Sequence, residues 1–91
     1  MLSQLKTLNK VVGVKQSKKV IRDGSAKTVF VAEDAEGRIR RPILELCQEM
    51  QVEVILVPTM EELGKACGID VGAAIVAVTD SFVFNASALN K

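Results

Sequence analysis

The sequence predicts an α/β fold, a three-layer α/β/α sandwich with a small mixed sheet of about four strands. Two patterns carry that expectation. Short apolar, β-branched runs alternate along the chain with segments whose apolar residues recur at helical spacing, and glycines punctuate the boundaries. Neither an internal repeat nor a linker divides the 91 residues, so they read as one domain, with a core over about 3–79 and a tail over about 81–91.

Leu2, Leu5 and Leu8, with polar residues between them, predict a short amphipathic helix over residues 2–9. Residues 10–14 read as a short strand, and Gly13 marks a point where the backbone can turn or approach a partner closely. A helix over 15–23 follows, with Val20 and Ile21 as its buried stripe and Gly24 as its stop. The apolar run 28–32 predicts a central strand, succeeded by an acidic turn of Glu33, Asp34, Glu36 and Gly37. From Ile39 or Arg41 to Met50, the residues Ile43, Leu46, Cys47 and Met50 keep helical spacing, with Pro42 placed in the first turn. Residues 52–57 read as a second buried strand. Thr59, with Glu62 three residues on, caps a short helix that Gly68 ends. Residues 74–79 supply the last strand, and the Asn-, Ser- and Ala-rich final ten residues are expected to fray.

Composition narrows the function classes. A hydrophobic content of 48% with 25% charged residues belongs to a chain that folds. Trp, Tyr and His are absent, and the three Phe residues (Phe30, Phe82 and Phe84) read as core or edge positions, which removes an aromatic base-stacking platform. Cys47 and Cys67 sit at apolar helical positions without a CxxC or any His, so free buried thiols are expected rather than a zinc site. The apolar runs are strand-length, far below a membrane span. A cytoplasmic monomer without metal, cofactor or membrane partner is the expectation.

Charge is unevenly placed. Residues 1–28 hold seven basic groups and one acid, net +6, whereas residues 29–91 hold five basic groups and ten acids, net −5. The density peaks at Lys15, Lys18, Lys19 and Arg22, whose i, i+3, i+4, i+7 spacing puts all four on one helix face. Such a face repels itself unless an anion meets it. Val12, Gly13 and Val14 offer no side-chain acceptor to the helix's first amides, which leaves those donors to an external anion at the positive end of the helix. A phosphate-bearing partner, RNA, is the leading expectation.

Three blocks in collinear order sharpen it: Gly13-Val14-Lys15-Gln16-Ser17-Lys18-Lys19, then Val29-Phe30-Val31-Ala32-Glu33-Asp34-Ala35, then Leu63-Gly64-Lys65-Ala66-Cys67-Gly68-Ile69. Over about residues 3–79 the chain resembles the ribosomal L-seven-Ae family, particularly its small bacterial YbxF-type members. The resemblance implies the three-layer fold and binding of kink-turn RNA, a sharply bent helix-internal loop built on tandem sheared G·A pairs, in ribosomal or regulatory RNA. It places the recognition segment on Gly13, Lys15, Gln16 and Lys19, where the glycine lets backbone close on RNA and the side chains reach purine edges or phosphate. Lys18 and Arg22 extend the cationic face. Archaeal relatives carry Asn-Glu where this chain has Lys15-Gln16, so a carboxylate acceptor is replaced and a charge added. The family's second contact falls on Ile69, Asp70, Val71, Gly72 and Ala73, which would cover the bulged, unstacked nucleotide, and Lys65 would contact phosphate.

Two other classes compete. The acidic turn after a strand end invites an enzyme reading, but no His, phosphate-binding glycine loop or activated nucleophile accompanies it, and no catalysis is expected. The alternative is a protein-interaction or structural subunit whose basic helix face docks an acidic partner. Arg38, Arg40 and Arg41 form a further basic cluster, read as a solvated face with auxiliary phosphate contact as its functional use.

Overall fold

The computed structural model describes residues 5–80. Four strands, β1 (Lys10–Val12), β2 (Thr28–Ala32), β3 (Glu53–Val57) and β4 (Ile75–Val78), alternate with three helices, α1 (Val14–Arg22), α2 (Gly37–Met50) and α3 (Met60–Ala66). The sheet is mixed, in the order β1-β4-β2-β3. β4 runs antiparallel to both neighbours, pairing Val76 with Val12 of β1 and with Phe30 of β2, while β2 and β3 run parallel with Val31 opposite Leu56.

Every residue of β2 and β4 is buried, as their uninterrupted apolar sequences predict for strands covered on both faces. The two-residue alternation then divides the core into two layers. Val29, Val31, Ile75 and Ala77 meet Ile21 of α1 with Ile43 and Cys47 of α2. Phe30, Ala32, Val76 and Val78 meet Leu5 with Leu63 and Cys67 of the α3 region. The three expected layers are therefore present.

Several boundaries differ from expectation. β3 is an edge strand with one neighbour, and Leu56 on it is 53% exposed, so its apolar run is only half-covered. α2 begins at Gly37, where Ile39 and Arg40 donate to the Glu36 carbonyl, which puts Pro42 in the second turn instead of the first. Its ring cannot give the bond that an amide there would give to the Arg38 carbonyl, and both residues are exposed, so water can serve that oxygen. Of the expected N-terminal helix, the described part shows a single 3-10 turn at residues 5–6 followed by a turn at Thr7, with Leu5 fully buried and half-buried Leu8 packed against the core. The readings on Leu2, Phe82, Phe84 and the tail lie outside the described residues. Thr59 caps α3 through its side-chain oxygen, which accepts from the Glu62 amide at 3.1 Å, and Gly68 closes that helix with φ +79°.

Candidate nucleic-acid interface

α1 follows β1 with one residue between them, Gly13, which adopts φ +109°, a conformation that side chains with a Cβ avoid. Its amide donates to the Ile75 carbonyl at 2.9 Å, tying the start of α1 to the start of β4. No side chain caps the helix, and among the described residues nothing accepts from the amides of Val14, Lys15 or Gln16. A Cβ built on Gly13 would meet nothing within 4 Å, so it is the positive φ and not crowding that calls for glycine here.

Ile21 fixes the rotation of α1 by burying completely, and the opposite face is left to solvent. Lys15, Gln16, Lys19 and Arg22 are exposed and Lys18 is half-buried. Lys15, Lys18, Lys19 and Arg22 line one shallow hollow together with Asp23. Among the described residues, none of these four cations has a carboxylate within salt-bridge distance; the ion pair formed there is Arg38 with Glu36 at 3.1 Å. Lys15 also stands in the first turn, at the positive end of the helix, with no acid there to offset it. Asp23 is held below the usual carboxylate range by hydrogen bonding to Ser25, whose amide donates at 2.8 Å, with Lys19 adding to the effect. It stays ionised, one negative charge at the C-terminal end of a cationic surface.

The segment 69–73 leads into β4 from α3, so it reaches the same end of the sheet as Gly13. Asp70, Val71 and Gly72 are exposed, Val71 at 70%, and Ile69 is half-buried. Ala73 turns inward: it is 3% exposed and its amide donates to the Met60 carbonyl. Lys65 is exposed on α3, in the helical layer opposite α1. The structure thus gathers the α1 cations into one surface, joins Gly13 to the strand that the 69–73 segment enters, and places Lys65 in the other helical layer from those cations.

Three supporting contacts emerge only from the structure. A Cβ on Gly64 would collide with the Val71 carbonyl oxygen and lie 3.2 Å from Gly72 Cα, so the bare glycine lets the exposed segment lie directly on α3. A glycine inside a helix is itself a signal of close approach. Asp34 Oδ1 accepts from the Met60 amide at 2.8 Å and so fastens the acidic turn to the first turn of α3. Arg40 does the same for the other side of that turn, donating to the Ala35 carbonyl at 2.7 Å.

A mixed sheet between helical layers, with an uncapped basic helix and an exposed loop at one sheet end, defines an α/β/α protein with an exposed cationic surface. The chain belongs to the ribosomal protein L7Ae/L30e/S12e/Gadd45 family, whose model matches residues 2–85. It is 43% identical over 68 residues to an RNA-binding protein of Bacillus pumilus, and 44% identical over 68 residues to the RNA-binding protein YbxF of Geobacillus stearothermophilus; each match covers 75% of this chain and 83% of the relative. It is also 43% identical over 67 residues to the large ribosomal subunit protein eL8 of Halobacterium salinarum, covering 72% of this chain and 56% of that protein. Among solved structures, the Giardia lamblia 15.5kD RNA binding protein superposes with a TM-score of 0.79 at 21% identity, over 88% of this chain and 71% of that one, a likeness of fold. A Bacillus halodurans protein of unknown function superposes with a TM-score of 0.82 at 25% identity, over 88% of this chain and 84% of that one.

Proposed function

We propose that this protein is a non-catalytic RNA-binding protein that recognises and stabilises kink-turns in structured RNA, with ribosomal RNA as its leading setting, and that it acts as one domain. The observation that carries the reading is the cationic face of α1, whose four basic side chains form no salt bridge among the described residues, with uncapped amides at Val14, Lys15 and Gln16 and an exposed loop at the same end of the sheet. Relatives named as RNA-binding proteins support it.

The mechanism is selection of RNA shape. A sharp bend brings phosphates together, and clustered cations on a rigid helix offset their repulsion in the bent form more than in the straight one. Lys15 and Gln16 would read purine edges that sheared pairs open, and Lys19 would reach a guanine acceptor or a phosphate. Ile69, Val71 and Gly72 would lie against the unstacked nucleotide. Ala73 would hold the loop in place from inside.

The test is binding to a kink-turn RNA and to the same RNA with its G·A pairs replaced, at one salt concentration near physiological. A clear preference for the intact motif is expected. Equal, salt-labile binding to both would reduce the surface to a nonspecific polycation, and binding to neither would favour an acidic protein partner.

A further inference from the structure

The α2 side of the cationic face is bordered by acid. A groove between α1 and α2 is lined by Lys18 and Arg22 from one helix and by Pro42, Glu45, Leu46 and Glu49 from the other. Each helix contributes a like-charged pair at i, i+4, an arrangement that repels itself along its own helix. Facing one another across the groove, the two pairs relieve that repulsion. They do so without contact, since among the described residues neither carboxylate lies within salt-bridge distance of a cation. Glu45 and Glu49 are exposed and therefore face any polyanion that approaches α1 from this side.

We propose that Glu45 and Glu49 are specificity-determining residues that lower the positive potential over Lys18 and Arg22 and repel RNA phosphates from the α2 side of α1. The inference rests on the RNA reading above. Binding that depends on charge alone samples every cation on the surface, so the acidic border weakens it most. A kinked RNA would draw on the same cations but also on Gly13, Gln16 and the 69–72 loop, contacts that do not depend on net positive charge, so a smaller share of its affinity would be lost. Unfavourable contacts against the wrong ligand set specificity as surely as favourable ones to the right ligand. The carboxylates would thus widen the margin between kinked and straight RNA.

The experiment compares wild-type protein with E45Q/E49Q and with E53Q/E61Q, which makes the same change in net charge on β3 and α3, away from the groove. Affinities for the intact kink-turn and its G·A-replaced counterpart are measured across a salt series. E45Q/E49Q is expected to tighten binding to the replaced RNA by about fivefold to tenfold and to the intact RNA by clearly less, with a steeper salt dependence on the replaced RNA. E53Q/E61Q is expected to raise both by the same small factor. The proposal is overturned if the two double variants behave alike, or if E45Q/E49Q leaves the ratio of affinities unchanged. The underlying reading fails separately, on the wild-type protein: equal affinity for the two RNAs would remove the preference that the acidic border is proposed to enlarge, and the proposal with it.

Discussion

Gly64→Ala tests whether the exposed loop lies directly on α3. In an open helix interior the change would stabilise by about 1 kcal/mol, because alanine loses less backbone freedom on folding than glycine. Here the new methyl would overlap the Val71 carbonyl oxygen and lie 3.0 Å from its carbon, and both are backbone atoms that no rotamer change can move. Relieving such overpacking costs about 1–3 kcal/mol, and the 69–72 segment or α3 must shift to do it. The net expectation is a loss of up to about 2 kcal/mol, which for a chain this size lowers the Tm by up to about 15 °C. Gly37→Ala is the control, since its Cβ would meet only the Arg41 guanidinium at an ordinary 3.7 Å; a gain of about 0.5–1 kcal/mol is expected there. Urea denaturation of both variants gives the stabilities, and amide chemical shifts of residues 69–73 report the loop. A Gly64→Ala protein as stable as the wild type, with those shifts unmoved, would refute the close approach.

Four further changes probe other parts of the molecule. Ser17 is fully buried in α1 with a hydroxyl that finds no partner among the described residues, so Ser17→Ala is expected to stabilise by about 1 kcal/mol in denaturation experiments; destabilisation would mean that the hydroxyl is satisfied after all. Gln51 ends α2 at φ +58°, a left-handed conformation that suits glycine, and Gln51→Gly should gain about 0.5–1 kcal/mol, whereas a loss would show no strain at that cap. Burial pushes the Cys47 thiol up to about 11 from 9.0, so the folded protein holds this proton more tightly than the unfolded chain. The contribution is complete below about pH 9 and is lost as pH rises toward about 11; stability should therefore fall more steeply over that window in the wild type than in Cys47→Ala, and parallel profiles would contradict it. Lys19→Ala should weaken binding to a kink-turn RNA by about tenfold or more, while Arg38→Ala, which loses a side chain paired with Glu36, should change it little. Equal losses would move the interface off α1.

Local patterns were legible because local physics decides them. The spacing of Lys15, Lys18, Lys19 and Arg22 sets one helix face whatever surrounds it, and the observed hollow contains all four. The Thr59 cap and the Gly68 stop likewise depend on neighbours in sequence. Strand order does not. β4, last among the described strands, inserts between β1 and β2, and that nonlocal pairing leaves β3 at the edge, although its apolar run resembles an interior strand. Pro42 misplaced the start of α2 because proline is favoured in a first turn, while the backbone had already closed its helical bonds onto Glu36. The contact of Gly64 with the Val71 carbonyl, and the facing of Glu45 and Glu49 toward Lys18 and Arg22, each join segments whose separation only the tertiary fold removes.

The placement of the two halves of the candidate interface bears on how it would work. Gly13 is held by the Ile75 carbonyl, and the 69–73 segment runs into the same strand. β4 is buried along its whole length and paired on both sides, so it belongs to the part of the molecule that opens least readily. A second set of ties, from Ala73 to Met60 and from Met60 to Asp34, braces the loop against α3 and the acidic turn. With both contacts anchored to one frame, the distance between the uncapped amides of α1 and the exposed Val71 is set before any ligand arrives. An RNA bound there as proposed would have to match that spacing, and the adaptation would fall on the nucleic acid, which is the condition under which a small protein with few contacts can discriminate by shape.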